Sequence, residues 1–222
     1  MSTRYLPAVE IATGDNPDFA IIWLHGLGAD GHDFEPIVPE LQLGGLAIRF
    51  VFPHAPAQPV TLNGGMAMRS WYDIYSLEST TREDERGIKA VAPAIEALIR
   101  REGERGVACE RIVLAGFSQG GAMALHVGLR YRERLAGIIG LSTYLPVRMR
   151  LKTERNQANA DTPIFMAHGN HDPVLDFSFG VASRDLLVSL GYRVEWHEYP
   201  MPHAVCPQEI DDLRQWLIER TI

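Results

Sequence analysis

The chain has 222 residues, 46% of them hydrophobic, which suits a single globular domain over 1–222 with a sizeable core. Its formal net charge is −7 and it has no basic run, so nucleic acid is not an expected partner. Two cysteines, Cys109 and Cys206, lie far apart without a CxxC partner, which argues against a disulfide framework or structural zinc and suits a reducing, cytoplasmic setting.

The first fifteen residues lack the apolar core of a secretory leader. No apolar stretch approaches a membrane span, so stable membrane insertion is not expected. Residues 5–11 suggest an antiparallel strand, and 19–24 (FAIIWL) a buried one. A helix is expected over 33–41, its length limited by Pro36 and Pro39. Residues 48–52 (IRFVF) read as the next strand. The stretch 53–81 shows no regular period, yet it carries Leu62, Met66, Met68, Trp71 and Tyr72, too many apolar side chains for disorder.

From 84 to 102, Ile88, Val91, Ile95, Leu98 and Ile99 repeat at helical spacing. Strands are expected over 112–115, 137–141 and 163–167, with an alternating edge strand over 193–199. Helices are expected over 119–131, 177–190 and 208–219, and 143–162 resists assignment. Near-continuous apolar strands alternating with helices imply a mainly parallel sheet covered on both faces. Ligands of such sheets bind at the carboxyl ends of the strands.

The most informative segment is Gly116-Phe117-Ser118-Gln119-Gly120 between an apolar strand and a helix. Strand, glycine-flanked serine, helix is the layout of a nucleophile elbow. A serine on so sharp a turn needs neighbours with little side chain. The turn also sets the helix N-terminus, with its favourable dipole, beneath the hydroxyl. The plainer alternative is a glycine-rich β–α turn with a capping serine.

A serine nucleophile needs a base and a group to orient it. Downstream lie His126, His168, His171, His197 and His203. His203, in the loop YPMPHAVCP past the last strand, is the candidate base, with a surface loop histidine as the alternative. Asp172, in AHGNHDPVL at a strand's carboxyl end, is the candidate acid; Asp176 and Asp161 compete. Asp176 is better placed to cap the next helix, and Asp161 precedes its strand. The two N–H donors an oxyanion requires are sought at Gln119, after the serine, and at Leu27 in WLHGLGAD, where Gly26 and Gly28 allow close approach. His168, His171 and Asp172 could also be read as a metal site, but H-x-x-H in a turn has poor ligand geometry and lacks a third His or Cys, so no metal is expected.

Four segments, LHGLGAD, GFSQGGAMAL, HGNHDPVL and MPHAV, agree in order with NGG at 63–65 and SWYDI at 70–74. Together they resemble the bacterial carboxylesterase and acyl-protein thioesterase family, the phospholipase/carboxylesterase branch of the α/β-hydrolases. The likeness runs across nearly the whole chain. It implies the α/β-hydrolase fold, a Ser118–Asp172–His203 triad, an oxyanion hole from Leu27 and Gln119, and neither metal nor cofactor. It further implies an acyl groove along 63–75, for which Leu62, Met66, Trp71 and Val174 are the candidate substrate-binding residues; the plainer alternative for Leu62, Met66, Met68 and Trp71 is that they pack on the sheet as core. The implied activity is hydrolysis of carboxylic esters, and also thioesters, of short-to-medium acyl chains in small-molecule or acylated substrates. Members of such a family often form homodimers through exposed apolar loops, an assembly the sequence leaves open. One departure stands out: where the family usually has glycine before the histidine, this chain has Pro202, which restricts Met201 and removes an amide donor.

Competing classes are an acyl-protein thioesterase or lysophospholipase proper, an acyltransferase using the same residues, and a non-catalytic binding protein on the same fold.

Overall fold

The computed structural model describes residues 5–76 and 83–221. In chain order its elements are β1 (Ala8–Ala12), β2 (Phe19–Leu24), α1 (Ile37–Glu40), β3 (Ile48–Pro53), β4 (Ala57–Val60), β5 (Met66–Arg69), α2 (Glu85–Glu104), β6 (Ile112–Phe117), α3 (Gln119–Gly128), β7 (Gly137–Leu141), α4 (Arg148–Glu154), β8 (Ile164–Gly169), α5 (Phe177–Ser189), β9 (Val194–Tyr199) and α6 (Pro207–Thr221). Seven strands form one sheet in the order β1-β3-β2-β6-β7-β8-β9. Only β1 runs antiparallel, opposite β3 at the edge.

Side-chain alternation divides the core into two layers. Ala20, Ile22 and Leu24 of β2 face a layer that includes Ile88, Ile95 and Leu98 of α2, Ala122 and Leu125 of α3, Leu151 of α4 and Leu187 of α5. Phe19, Ile21 and Trp23 face the other, with Ile37 of α1 and Leu213, Trp216 and Leu217 of α6. Every side chain of β2 is buried because both faces are covered, which is why its sequence is unbroken by polar residues.

Strand order reverses at β2. The chain steps outward from β2 to β3, then returns to β6 on the other side of β2. Leu24 of β2 pairs with Gly116 of β6, so the loops leaving their carboxyl ends lie side by side. That switch point is where a ligand site belongs in an open parallel sheet.

Several expected elements differ in extent. The first helix is a single turn, Ile37–Glu40: Pro36 precedes it and Pro39 lies within it, and neither has an amide to donate. The helix after the elbow ends at Gly128; beyond it, Leu129 O accepts from Asn156 N and Tyr131 O from Asn159 Nδ2, so tertiary bonds replace the helical ladder. Within 143–162 lie α4 and a short 3₁₀ turn, Gln157–Asn159.

The larger correction concerns 53–81, described here to Ser76. It contains a two-stranded hairpin, with Ala57 opposite Arg69 and Val60 opposite Met66, joined through a 3₁₀ turn at Thr61–Asn63 and Gly64-Gly65 at φ +67° and +79°. Pro59 within β4 disguised it, because proline fits only where the sheet needs no donor. The part of that stretch from Leu77 to Thr81 lies outside the described residues.

Candidate active site

Ser118 stands between β6 and α3 with φ +54° and ψ −121°, a backbone region a non-glycine residue enters at a cost of about 1–3 kcal/mol. The surroundings enforce it. A Cβ at Gly116 would collide with the Gly120 carbonyl, and one at Gly120 with the Leu24 and His25 carbonyls. Ser118 N donates to Leu141 O at 2.9 Å, and the Thr143 hydroxyl donates to Ser118 O at 2.7 Å. The glycines that flag the motif are therefore space for the crossing of β2, β6 and α3.

The structure brings Ser118, His203 and Asp172 together in a line. Ser118 Oγ lies 2.9 Å from His203 Nε2, and His203 Nδ1 lies 2.6 Å from Asp172 Oδ2. An ionised carboxylate only accepts, so Nδ1 carries the ring proton and Nε2 is free to receive one from the serine. The Asp172 side chain is fully buried, and its Oδ1 accepts from Val174 N (2.8 Å) and Leu175 N (2.9 Å). Asp176 instead caps α5 through Ser178 N, and the hydrogen bond holds its carboxyl below its ordinary pKa. Pro202 does not divert the histidine. Gly169 lets the Met201–Pro202 backbone close against β8, where a Cβ would collide, and Met201 O accepts from His171 N.

The other downstream histidines stand outside the relay. His126 is buried in α3, where burial pushes its pKa down to about 3. His197 sits between Phe165 and Tyr199 on β9. His168 is wholly buried and His171 exposed, so they share no metal geometry; among the described residues no three His, Cys, Asp or Glu groups could hold an ion.

Gln119 directly follows the serine, and the loop bearing Leu27 passes beside it. Gln119 opens α3, where helical geometry leaves the amide without an intrahelical partner. A Cβ on Gly26 would lie 3.6 Å from Ser118 Cβ, so the peptide leading to Leu27 passes directly beside the elbow. Three contacts hold that loop. Gly28, at φ +78°, donates its N–H to Arg69 O. His25 accepts from Ala55 N at Nε2, which leaves Nδ1 protonated to donate to Gly26 O at 2.7 Å. The Trp71 indole N–H donates to His25 O at 2.9 Å.

That last contact corrects one expectation. Trp71 is not a groove residue: it is 1% exposed and packs in the core beneath the loop bearing Leu27. The other candidate groove residues lie elsewhere. A cavity of about 880 Å³ is lined by Leu62, Tyr75, Pro173, Val174 and Phe179 together with the polar Ser76, Asp172, Asp176 and Ser178. Leu62 and Val174, 38% and 42% exposed, thus share one surface. Met66, 66% exposed on β5, stands off that groove.

Sequence reasoning missed the supports. The Gln119 side chain accepts from Trp71 N and donates to Tyr72 O and Ser70 Oγ, tying the SWYD segment to the elbow. Asp73 accepts from Thr61 N and Oγ1, clamping the turn that carries Leu62. The Phe117 ring packs 4.8 Å from that of His203 and limits its rotation. The motifs named these residues, but only folding shows which touch.

Comparisons with known proteins identify the family. Acyl-protein thioesterase 1 of Yarrowia lipolytica is 40% identical over 219 residues, 96% of each chain. Acyl-protein thioesterase 1 of Cryptococcus neoformans is 39% identical over 216 residues, 90% of this chain and 91% of its own. Among solved structures, Arabidopsis thaliana SOBER1 superposes with a TM-score of 0.87 at 31% identity, over 92% of this chain and 99% of its own. Zea mays acyl-protein thioesterase 2 gives 0.86 at 27% identity over 98% and 100%. These are fungal and plant proteins, so the motifs mark the family rather than a bacterial branch. The fold is that of the α/β-hydrolases, and the phospholipase/carboxylesterase family matches residues 7–220: the chain belongs to that family.

Proposed function

We propose that the chain hydrolyses carboxylic esters and acyl thioesters through an acyl-Ser118 intermediate, with His203 as base and Asp172 as its orienting acid. The observation that carries this reading is the relay from Ser118 Oγ through His203 to buried Asp172, at 2.9 and 2.6 Å, on a strained turn. His203 Nε2 takes the Ser118 proton as Oγ attacks the acyl carbon. The Leu27 and Gln119 amides hold the oxyanion as the tetrahedral intermediate forms. When that intermediate collapses, the C–O or C–S bond breaks; His203 gives its proton to an alkoxide, whereas a thiolate leaves unaided and the His203 proton passes to solvent, so that either way the imidazole is again neutral. Water then gives a proton to His203 and attacks the acyl carbon, and the acid departs as the proton returns to Ser118.

Leu62 and Val174 supply the apolar surface of a short-to-medium acyl chain, and relatives named acyl-protein thioesterases add acylated proteins to the substrate classes considered. A reducing, cytoplasmic setting agrees with both cysteines being free, and none of the described helices is long and apolar enough to cross a membrane. The test is a matched series of oxygen esters and thioesters of rising chain length, run with Ser118→Ala. Both series should be hydrolysed, with an optimum in chain length, and the variant should lose both activities. Turnover by Ser118→Ala at the native rate would overturn the reading.

A further inference from the structure

Asp172 is held by two histidines, of which the relay uses one. Its Oδ2 lies 2.6 Å from His203 Nδ1 and also 3.3 Å from His168 Nε2. The same His168 nitrogen lies 3.0 Å from Leu175 O. A carbonyl can only accept, so Nε2 carries the proton; its N–H is directed to that carbonyl, with Asp172 Oδ2 as a second, longer contact at 3.3 Å. His168 Nδ1 is then a bare lone pair, buried and without a hydrogen-bond partner among the described residues.

The ring is closely packed, and its hydrogen bond to Leu175 O sets its orientation. His168 ends β8 with no exposed surface. A Cβ on Gly180 of α5 would press against His168 Nδ1, and Phe177 meets the ring edge-on at 5.8 Å. Burial lowers the His168 pKa, and a neutral ring with one N–H is what this site accepts. If the ring only filled space, its N–H would need no carboxylate beside Leu175 O.

We propose that His168 is a positioning residue acting through Asp172: its Nε2–H competes with His203 for Oδ2 and so sets how strongly the carboxylate holds the His203 imidazolium. The inference rests on the Ser118–His203–Asp172 reading. The titratable groups facing this pair are Asp172 itself, His203 on the loop after β9 and Asp176 at the cap of α5; Arg184 and Glu198 lie beyond the Trp196 ring. Removing a donor from Oδ2 strengthens its hold on the imidazolium, so His203 becomes a base at higher pH.

The experiment is the pH profile of kcat/KM for His168→Leu, which removes the donor, and His168→Gln, which keeps an N–H near the Nε2 position. Rates are taken per active site, titrated with a serine-directed phosphonate. His168→Leu should move the midpoint of the acid limb up by about half a unit, roughly a threefold loss at a fixed pH on that limb. His168→Gln should restore the wild-type midpoint. An unmoved midpoint in His168→Leu, a loss equal at every pH, or a glutamine variant shifted as far as the leucine one would overturn the inference. A second measurement needs no variant. Nitrogen chemical shifts of ¹⁵N-histidine-labelled wild-type protein should show His168 protonated at Nε2 and bare at Nδ1 throughout the active range; a protonated Nδ1 overturns it. Failure of the underlying triad has a separate signature, full activity in Asp172→Asn.

Discussion

The two sides of Ser118 are built to different standards. On the side of the relay and the Leu27 loop, Gln119, Trp71 and the Asp172 side chain are buried, and their polar atoms meet defined partners. On the groove side, Leu62 and Val174 present partly exposed apolar side chains from a 3₁₀ turn and a loop, and Met66 stands in solvent on a two-stranded hairpin. Bond-making tolerates little displacement of the reacting groups, so its residues are locked by packing and by a supporting layer. Acyl-chain binding is roughly proportional to apolar area and tolerates adjustment.

The largest effects should come from breaking the locked side at its centre. His203→Ala and Asp172→Asn should each lower kcat/KM about 10⁴-fold or more with the fold retained, as circular dichroism and a thermal melt would register. An Asp176→Asn variant more damaging than Asp172→Asn would place the acid on the wrong residue. Next comes Trp71. As a core side chain under the Leu27 loop, its replacement by alanine should cost about 3–5 kcal/mol of stability in urea unfolding. Its loss should lower turnover of all chain lengths together; a flattened chain-length profile at unchanged stability would return Trp71 to the groove.

A third expectation concerns Glu209 in the first turn of α6, just past the His203 loop. It is fully buried, neither carboxylate oxygen meets a donor in full hydrogen-bond geometry, and burial pushes its pKa from 4.5 up to about 8, the Cys206 amide offsetting this only in part. The folded state holds this proton more tightly than the unfolded chain. Its stabilising contribution is therefore complete below pH 4.5 and is lost as the pH rises through about 8. Unfolding free energy should decline across that window, and Glu209→Gln should flatten the decline; an unchanged slope in the variant would assign the pH dependence to other groups.

The smallest effects belong to the proposed groove. Each CH₂ buried there is worth about 0.8 kcal/mol, or roughly fourfold in specificity. Val174→Ala and Leu62→Ala should each reduce the preference for longer acyl chains by a few-fold and leave acetate esters almost unaffected. Met66→Ser, outside the groove, should leave the profile unchanged. A profile altered by Met66→Ser and not by Leu62→Ala would relocate the groove to the hairpin face.

This division also governs what the sequence reveals. Strands such as Phe19–Leu24 and Gly137–Leu141 are legible because burial on both faces demands an unbroken apolar run. The elbow is legible because the close crossing at Gly116 and Gly120 admits only glycine. The β4–β5 hairpin is not, since four-residue strands carrying Pro59 and a half-exposed face leave no period to read. Trp71 misleads because an aromatic residue in an aperiodic stretch fits a groove as well as a core, and only its indole bond to His25 O decides between them. The roles of Phe117 and His168 come from contacts across loops that sequence spacing does not encode.

The central claim is that Ser118 is the acylated nucleophile. A serine-directed organophosphonate, followed by peptide mass spectrometry, tests it most directly. One equivalent should attach to Ser118 in step with the loss of ester and thioester hydrolysis, and Ser118→Ala should take up none. An adduct on another serine, such as Ser142 or Ser183, or hydrolysis that survives stoichiometric labelling of Ser118, would contradict it.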